Sequence, residues 1–121
     1  MGFEEFFKFE RQGRVGVIRL ARPDKLNTIS APFYEAMIDL QERMIVGDHE
    51  LRALAMLAEG RHFSAGIDLN YAKAAMGAPG RSLYGVYHWR RAYRFWQECN
   101  LPIVAGIQGA CMGTAMELVA S

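Results

Sequence analysis

The residues best equipped for chemistry lie together in Gly109-Ala110-Cys111-Met112-Gly113-Thr114-Ala115-Met116-Glu117-Leu118, behind the short apolar run Ile103-Val104-Ala105. The pattern reads as a buried strand that breaks at a glycine-rich turn and continues as a helix. Such a turn leaves backbone N–H groups unpaired, and the helix start adds the positive end of its dipole. A concave site there stabilises negative charge on a substrate oxygen. Glu117, in the first helical turn, is close enough to that charge to act as a base or to orient a water. The same residues also fit a purely structural pattern. Thr114-Ala115-Met116-Glu117 has the spacing of a capping box, in which Glu117 reaches back to the Thr114 N–H. The two readings compete for one donor, and on the sequence both stay open.

A second place of the same kind lies upstream. His62-Phe63-Ser64-Ala65-Gly66-Ile67-Asp68-Leu69 is another strand-to-helix crossing through a glycine. Here Asp68 reads first as the cap of the helix that follows, and His62 as a solvated turn residue rather than a base or ligand.

The elements that must hold these two turns follow from the pattern. Phe7-Lys8-Phe9-Glu10 and Val15-Gly16-Val17-Ile18-Arg19-Leu20 form a hairpin around Arg11-Gln12-Gly13-Arg14. Ser30, with Pro32 just inside, opens a helix whose Phe33, Met37, Leu40 and Met44 face a core, and Gly47 ends it. Residues 51–58 form a strand between that stop and the turn at Glu59-Gly60-Arg61. Gly77-Ala78-Pro79-Gly80 is a flexible break, after which 81–100 read as one long helix. Its Tyr84, Tyr87, Trp89, Tyr93, Phe95 and Trp96 pack inward, while Arg90, Arg91 and Arg94 reach outward to water. Strands and helices alternate, which argues an α/β fold.

Composition excludes several classes. The chain has 121 residues, 51% hydrophobic and 22% charged, enough for one domain with a real core. A net charge of +1 gives no electrostatic case for nucleic acid or an anionic membrane surface. No apolar run approaches the roughly 20 residues of a bilayer span. The first ten residues mix Phe with Glu and do not read as a signal peptide, so a cytoplasmic location is expected. Cys99 and Cys111 suggest neither a disulfide framework nor a metal site.

Taken together, the motifs resemble the crotonase family of enoyl-CoA hydratases and isomerases. Phe63-Ser64-Ala65-Gly66-Ile67-Asp68-Leu69 is similar to its first signature. Residues 101–113, from Leu101-Pro102-Ile103 to Cys111-Met112-Gly113, resemble its second, and Arg22-Pro23-Asp24-Lys25-Leu26-Asn27 resembles its early turn. The resemblance implies a crotonase-like spiral of ββα units, of which residues 1–121 are the N-terminal core portion, incomplete at the C-terminus. It implies an acyl-CoA thioester as substrate, with coenzyme A part of that substrate and no separate cofactor. A homotrimer or hexamer is implied for the full-length protein.

By motif position, the resemblance assigns the oxyanion donors to the N–H groups of Ile67 and Thr114. It puts Ala65, Gly66 and Asp68 near the adenine, and Gly113 in the turn that holds the thioester. Glu117 falls where hydratases keep the first of two glutamates that handle water, which favours hydration of a 2-enoyl-CoA, a lyase reaction, over isomerisation. The family's glycine run is Gly113-Thr114-Ala115 here, so two positions carry a Cβ, which narrows the pocket. The second acid lies beyond Ser121, so the 121 residues alone are expected to be inactive. The alternative is a catalytically silent crotonase-like protein kept for binding or assembly, with Thr114 and Glu117 as a cap.

Overall fold

The structure, a computed structural model, describes residues 2–76 and 81–121. The expected break at residues 77–80 lies outside the described residues, as do the side chains of Tyr84 and Tyr87. The described elements are β1 (Phe7–Gln12), β2 (Val15–Leu20), α1 (Ala31–Leu40), β3 (Ala53–Ala58), α2 (Leu69–Met76), α3 (Arg81–Glu98), β4 (Ile103–Ala105) and α4 (Thr114–Ala120).

β1 and β2 pair antiparallel, with Gln12 opposite Val15. The hairpin turn is therefore the pair Gly13-Arg14, and Gly13 supplies the positive φ of 62° that so tight a turn requires. β3 pairs parallel with β2, and β4 parallel with β3, so the sheet runs β1-β2-β3-β4 in space as in sequence. Parallel neighbours need a crossover, and the helices supply it: α1 joins β2 to β3, and α2 with α3 joins β3 to β4.

The core lies between one face of the sheet and the helices. Leu20, Leu54 and Met56 from the strands meet Phe33, Met37 and Leu40 of α1, with Trp96 of α3 closing the layer. Each such buried side chain contributes about 1.5–3 kcal/mol. The expected periodicity of α1 is what aims these residues inward. Ser30 occupies the N-cap position, but its hydroxyl makes no capping bond. Pro32 at the second helical position has no N–H to offer, which leaves Phe33 N–H as the one donor such a cap could take. Past Leu40 the helix widens into a π-turn over Gln41–Ile45, and the buried Gln41 amide donates to the Ala92 carbonyl of α3 at 2.8 Å. In α3, Tyr93 and Trp96 are buried and Arg90, Arg91 and Arg94 are exposed, as expected; Arg91 pairs with Glu42 at 2.8 Å.

One expectation fails. The strand leading into the second turn is not buried: β4 is a three-residue edge strand, and Val104 is 70% exposed. Alternate side chains of a strand face opposite ways, and no described element covers the face to which Val104 points. No helix among the described residues is long and apolar enough to cross a membrane.

Candidate active site

The two glycine turns lie side by side and are bonded to each other. Phe63 N–H donates to Gln108 O (2.8 Å), Ser64 N–H to Ala110 O (3.1 Å) and Met112 N–H to Ser64 O (3.1 Å). Gly66, at φ +94°, permits the approach: a Cβ there would stand 2.7 Å from the Met112 carbonyl oxygen. Gly109 does the same on the other side, where a Cβ would collide with the Arg61 carbonyl. His62 is not a solvated turn residue. Its Nδ1 accepts the Ala110 N–H at 2.9 Å, which clasps one turn to the other.

The first turn is braced from behind by residues whose role the motifs do not announce. Asn27 is buried at φ +49°; its Nδ2 donates to Glu59 O (3.0 Å) and Phe63 O (3.1 Å), and its Oδ1 accepts Arg22 N–H (2.8 Å). Ser64, fully buried, donates to Asn27 O at 2.7 Å and accepts Gly66 N–H at 3.1 Å. Ala65 N–H goes to Leu26 O, and Asp68 N–H to Ile29 O. The Asp68 carboxylate accepts Tyr71 N–H at 2.8 Å, so Asp68 caps α2 as read from the sequence.

Both backbone donors to which the resemblance points are unclaimed. Among the described residues neither Ile67 N–H nor Thr114 N–H has an acceptor; Gly66 and Asp68 on either side of Ile67 do, whereas Gln108, Gly109, Cys111 and Gly113 N–H on the second turn are also without one. Of the three residues assigned to the adenine, Ala65, Gly66 and Asp68 all have their N–H groups engaged, and what Ala65 still offers is its carbonyl.

The capping box does not form. Gly113, at φ +54° and ψ −122°, is the N-cap of α4, so Thr114 is already the first helical residue and Glu117 stands one position too deep to close the box. Glu117 is exposed, and its carboxylate has no hydrogen bond or ion pair among the described residues. It borders a groove of about 420 Å³ together with Trp89, Arg90, Tyr93 and Arg94 of α3.

Beside this groove Tyr34 and Tyr93 are buried with their rings edge to face. Burial holds both hydroxyls protonated above the ordinary tyrosine range, and for Tyr93 the neighbouring Tyr34 adds to the push. The sign follows. An unfolded tyrosine ionises near pH 10 while the folded pair does not, so the pair's contribution is complete below about pH 10 and is lost as pH rises above it. Stability is expected to fall there by up to about 1.4 kcal/mol per pH unit for each tyrosine. Denaturant melts across alkaline pH check this, with Tyr93→Phe expected to flatten the slope; a wild-type profile no steeper than the variant's would contradict it.

Comparison with known proteins adds the following. Residues 10–121 match the family model described as Enoyl-CoA hydratase/isomerase. The chain is similar to the mitochondrial Delta(3,5)-Delta(2,4)-dienoyl-CoA isomerase of Rattus norvegicus, with 24% identity over 86% of this chain and 34% of that protein. It is similar also to the cyclohexa-1,5-dienecarbonyl-CoA hydratase of Thauera aromatica, with 32% identity over 93% of this chain and 41% of that one. Among solved structures, an enoyl-CoA hydratase from Shewanella pealeana superposes with a TM-score of 0.89 at 25% identity, over 94% of this chain and 43% of its own. The chain thus spans between about a third and two-fifths of the length of these curated relatives.

Proposed function

The chain belongs to the enoyl-CoA hydratase/isomerase family, and on that premise we propose that the protein carrying it hydrates a 2-enoyl-CoA through an enolate. The observation that supports this reading is the pair of unclaimed N–H groups, Ile67 and Thr114, on two turns bonded to one another. Water adds at the β-carbon and electron density moves onto the thioester oxygen. Preorganised donors stabilise that charge without reorganising as it forms. Glu117 lies one helical turn from Thr114, on the same side of α4, and takes the proton of the attacking water. The α-carbon receives its proton from a second acid outside these residues.

In this reading coenzyme A arrives with the substrate and no resident cofactor is needed. Gly113 lets the chain turn past the thioester, and the Ala65 carbonyl takes the adenine amino group, with Gly66 and Asp68 shaping the turn around it. Residues 1–121 serve as the N-terminal core portion of one crotonase-like domain that assembles as a homotrimer or hexamer. The 121 residues alone are inactive, because one acid and part of the pocket wall lie elsewhere.

The test is calorimetry with acyl-CoA, followed by loss of enoyl absorbance from crotonyl-CoA, on the full-length protein. Acyl-CoA binding and a 3-hydroxyacyl product are expected. A product with a migrated double bond would replace hydration by isomerisation, and no affinity for any acyl-CoA would overturn the reading.

A further inference from the structure

Thr114 carries a side chain where the glycine run of related signatures has none, and two tyrosines from different helices converge on it. Tyr34 of α1 brings its hydroxyl 3.3 Å from Thr114 Oγ1. Tyr93 of α3 brings its own 2.9 Å from the same oxygen and 3.0 Å from the Thr114 carbonyl oxygen. Tyr34 is 3% exposed and Tyr93 6%, with ring centroids 5.7 Å apart.

The protons in this cluster can be assigned by counting. The carbonyl can only accept, so Tyr93 donates to it. Tyr93 has no second proton, so at the 2.9 Å contact the Thr114 hydroxyl is the donor. That uses the one proton of Thr114, so Tyr34 donates to Thr114 Oγ1. The result is a one-way chain from Tyr34 to the Thr114 hydroxyl, to Tyr93, and back to the Thr114 carbonyl, in which each bond polarises the next.

The two proposed oxyanion donors are held differently. Ile67 lies between backbone bonds on both sides: Gly66 O accepts Ile29 N–H, and Asp68 N–H goes to Ile29 O. On the second turn, the last backbone bond to the first turn is Met112 N–H to Ser64 O, and Gly113 with its positive φ follows. Around Thr114 the backbone bonds stay within its own turn, Ala115 N–H to Met112 O and Met116 N–H to Gly113 O, and the tyrosine chain is what ties Thr114 to α1 and α3. We propose that Tyr34 and Tyr93 are positioning residues that hold Thr114 so that its N–H stays aimed at the thioester oxygen, and that keep the Thr114 hydroxyl turned away from it. This rests on the reading of the Thr114 N–H as an oxyanion donor.

The test uses Tyr93→Phe, Tyr34→Phe and the double variant in the full-length protein, assayed well below the melting temperature. Tyr93→Phe is expected to lower kcat about tenfold to a hundredfold with KM nearly unchanged, since misplaced groups of this kind cost up to about 10²-fold. Tyr34→Phe costs less, because it removes only the first link. A serial chain makes the losses non-additive, so the double variant stays within about twofold of Tyr93→Phe. Wild-type kcat in Tyr93→Phe, or two losses that multiply, would overturn the proposal. If the wild-type protein turned over no enoyl-CoA, the functional reading would fall separately. The Thr114 amide resonance would then decide: displacement in Tyr93→Phe supports the chain, and an unchanged resonance overturns it.

Discussion

Glu117→Gln is expected to lower enoyl-CoA turnover by roughly 10²–10⁴-fold, the range of a positioned acid or base, and to leave the thermal melt where it was. Glutamine keeps the size of the side chain and one hydrogen-bonding oxygen, but it cannot accept the proton of the attacking water. The fold loses nothing, because the carboxylate is exposed and holds no partner among the described residues, and because α4 starts from Gly113 without a box. Turnover and melting of the full-length protein and the variant are the two measurements. Near-wild-type turnover would remove Glu117 from the chemistry. A lowered melt would give it a structural role the geometry does not show.

Gly66→Ala is expected to lower kcat by about 10²-fold, the scale set by donors displaced from their working position. The new Cβ would sit 2.7 Å from the Met112 carbonyl oxygen at a φ of +94°. Both effects act together. The backbone conformation becomes strained, by about 1–3 kcal/mol, and the contact pushes the second turn away from the first. In the proposed mechanism, Ile67 N–H then separates from Thr114 N–H, and the thioester oxygen loses one donor. Kinetics alongside a melting curve report the two parts independently. A variant with wild-type kcat would show that the close approach of the turns is not what sets the rate.

The elements were legible in the sequence because apolar spacing and turn residues agree at each of them. Phe33, Met37 and Leu40 at helical intervals define α1, and in β3 Leu54 and Met56 are buried while the residues around them are half-buried, as an almost wholly apolar strand allows. The two turns were legible from their glycines. Burial of β4 was not, because an apolar triplet looks the same in the middle of a sheet and at its edge. Nor was the bracing of the site. Asn27, Ser64 and His62 act through partners more than thirty residues away, and nothing in local spacing reports such a pairing. The signal that exists is weak: an asparagine after a proline turn, and a serine in an otherwise apolar run. Tyr93 stands in a row of aromatics that all read as packing, and only the position of Tyr34 on α1 gives its hydroxyl a separate task.

The strands cross the sheet in the order in which they occur along the chain. A ribosome therefore releases them in the order in which they can dock. The β1-β2 hairpin closes from a two-residue turn, and β3 and β4 each add to the border left by the strand before. None of the four described strands waits for a later one to be inserted beside it. At each stage of synthesis the growing border is the most recently made strand, so the backbone free to pair wrongly with another chain is that border and the outer edge of β1.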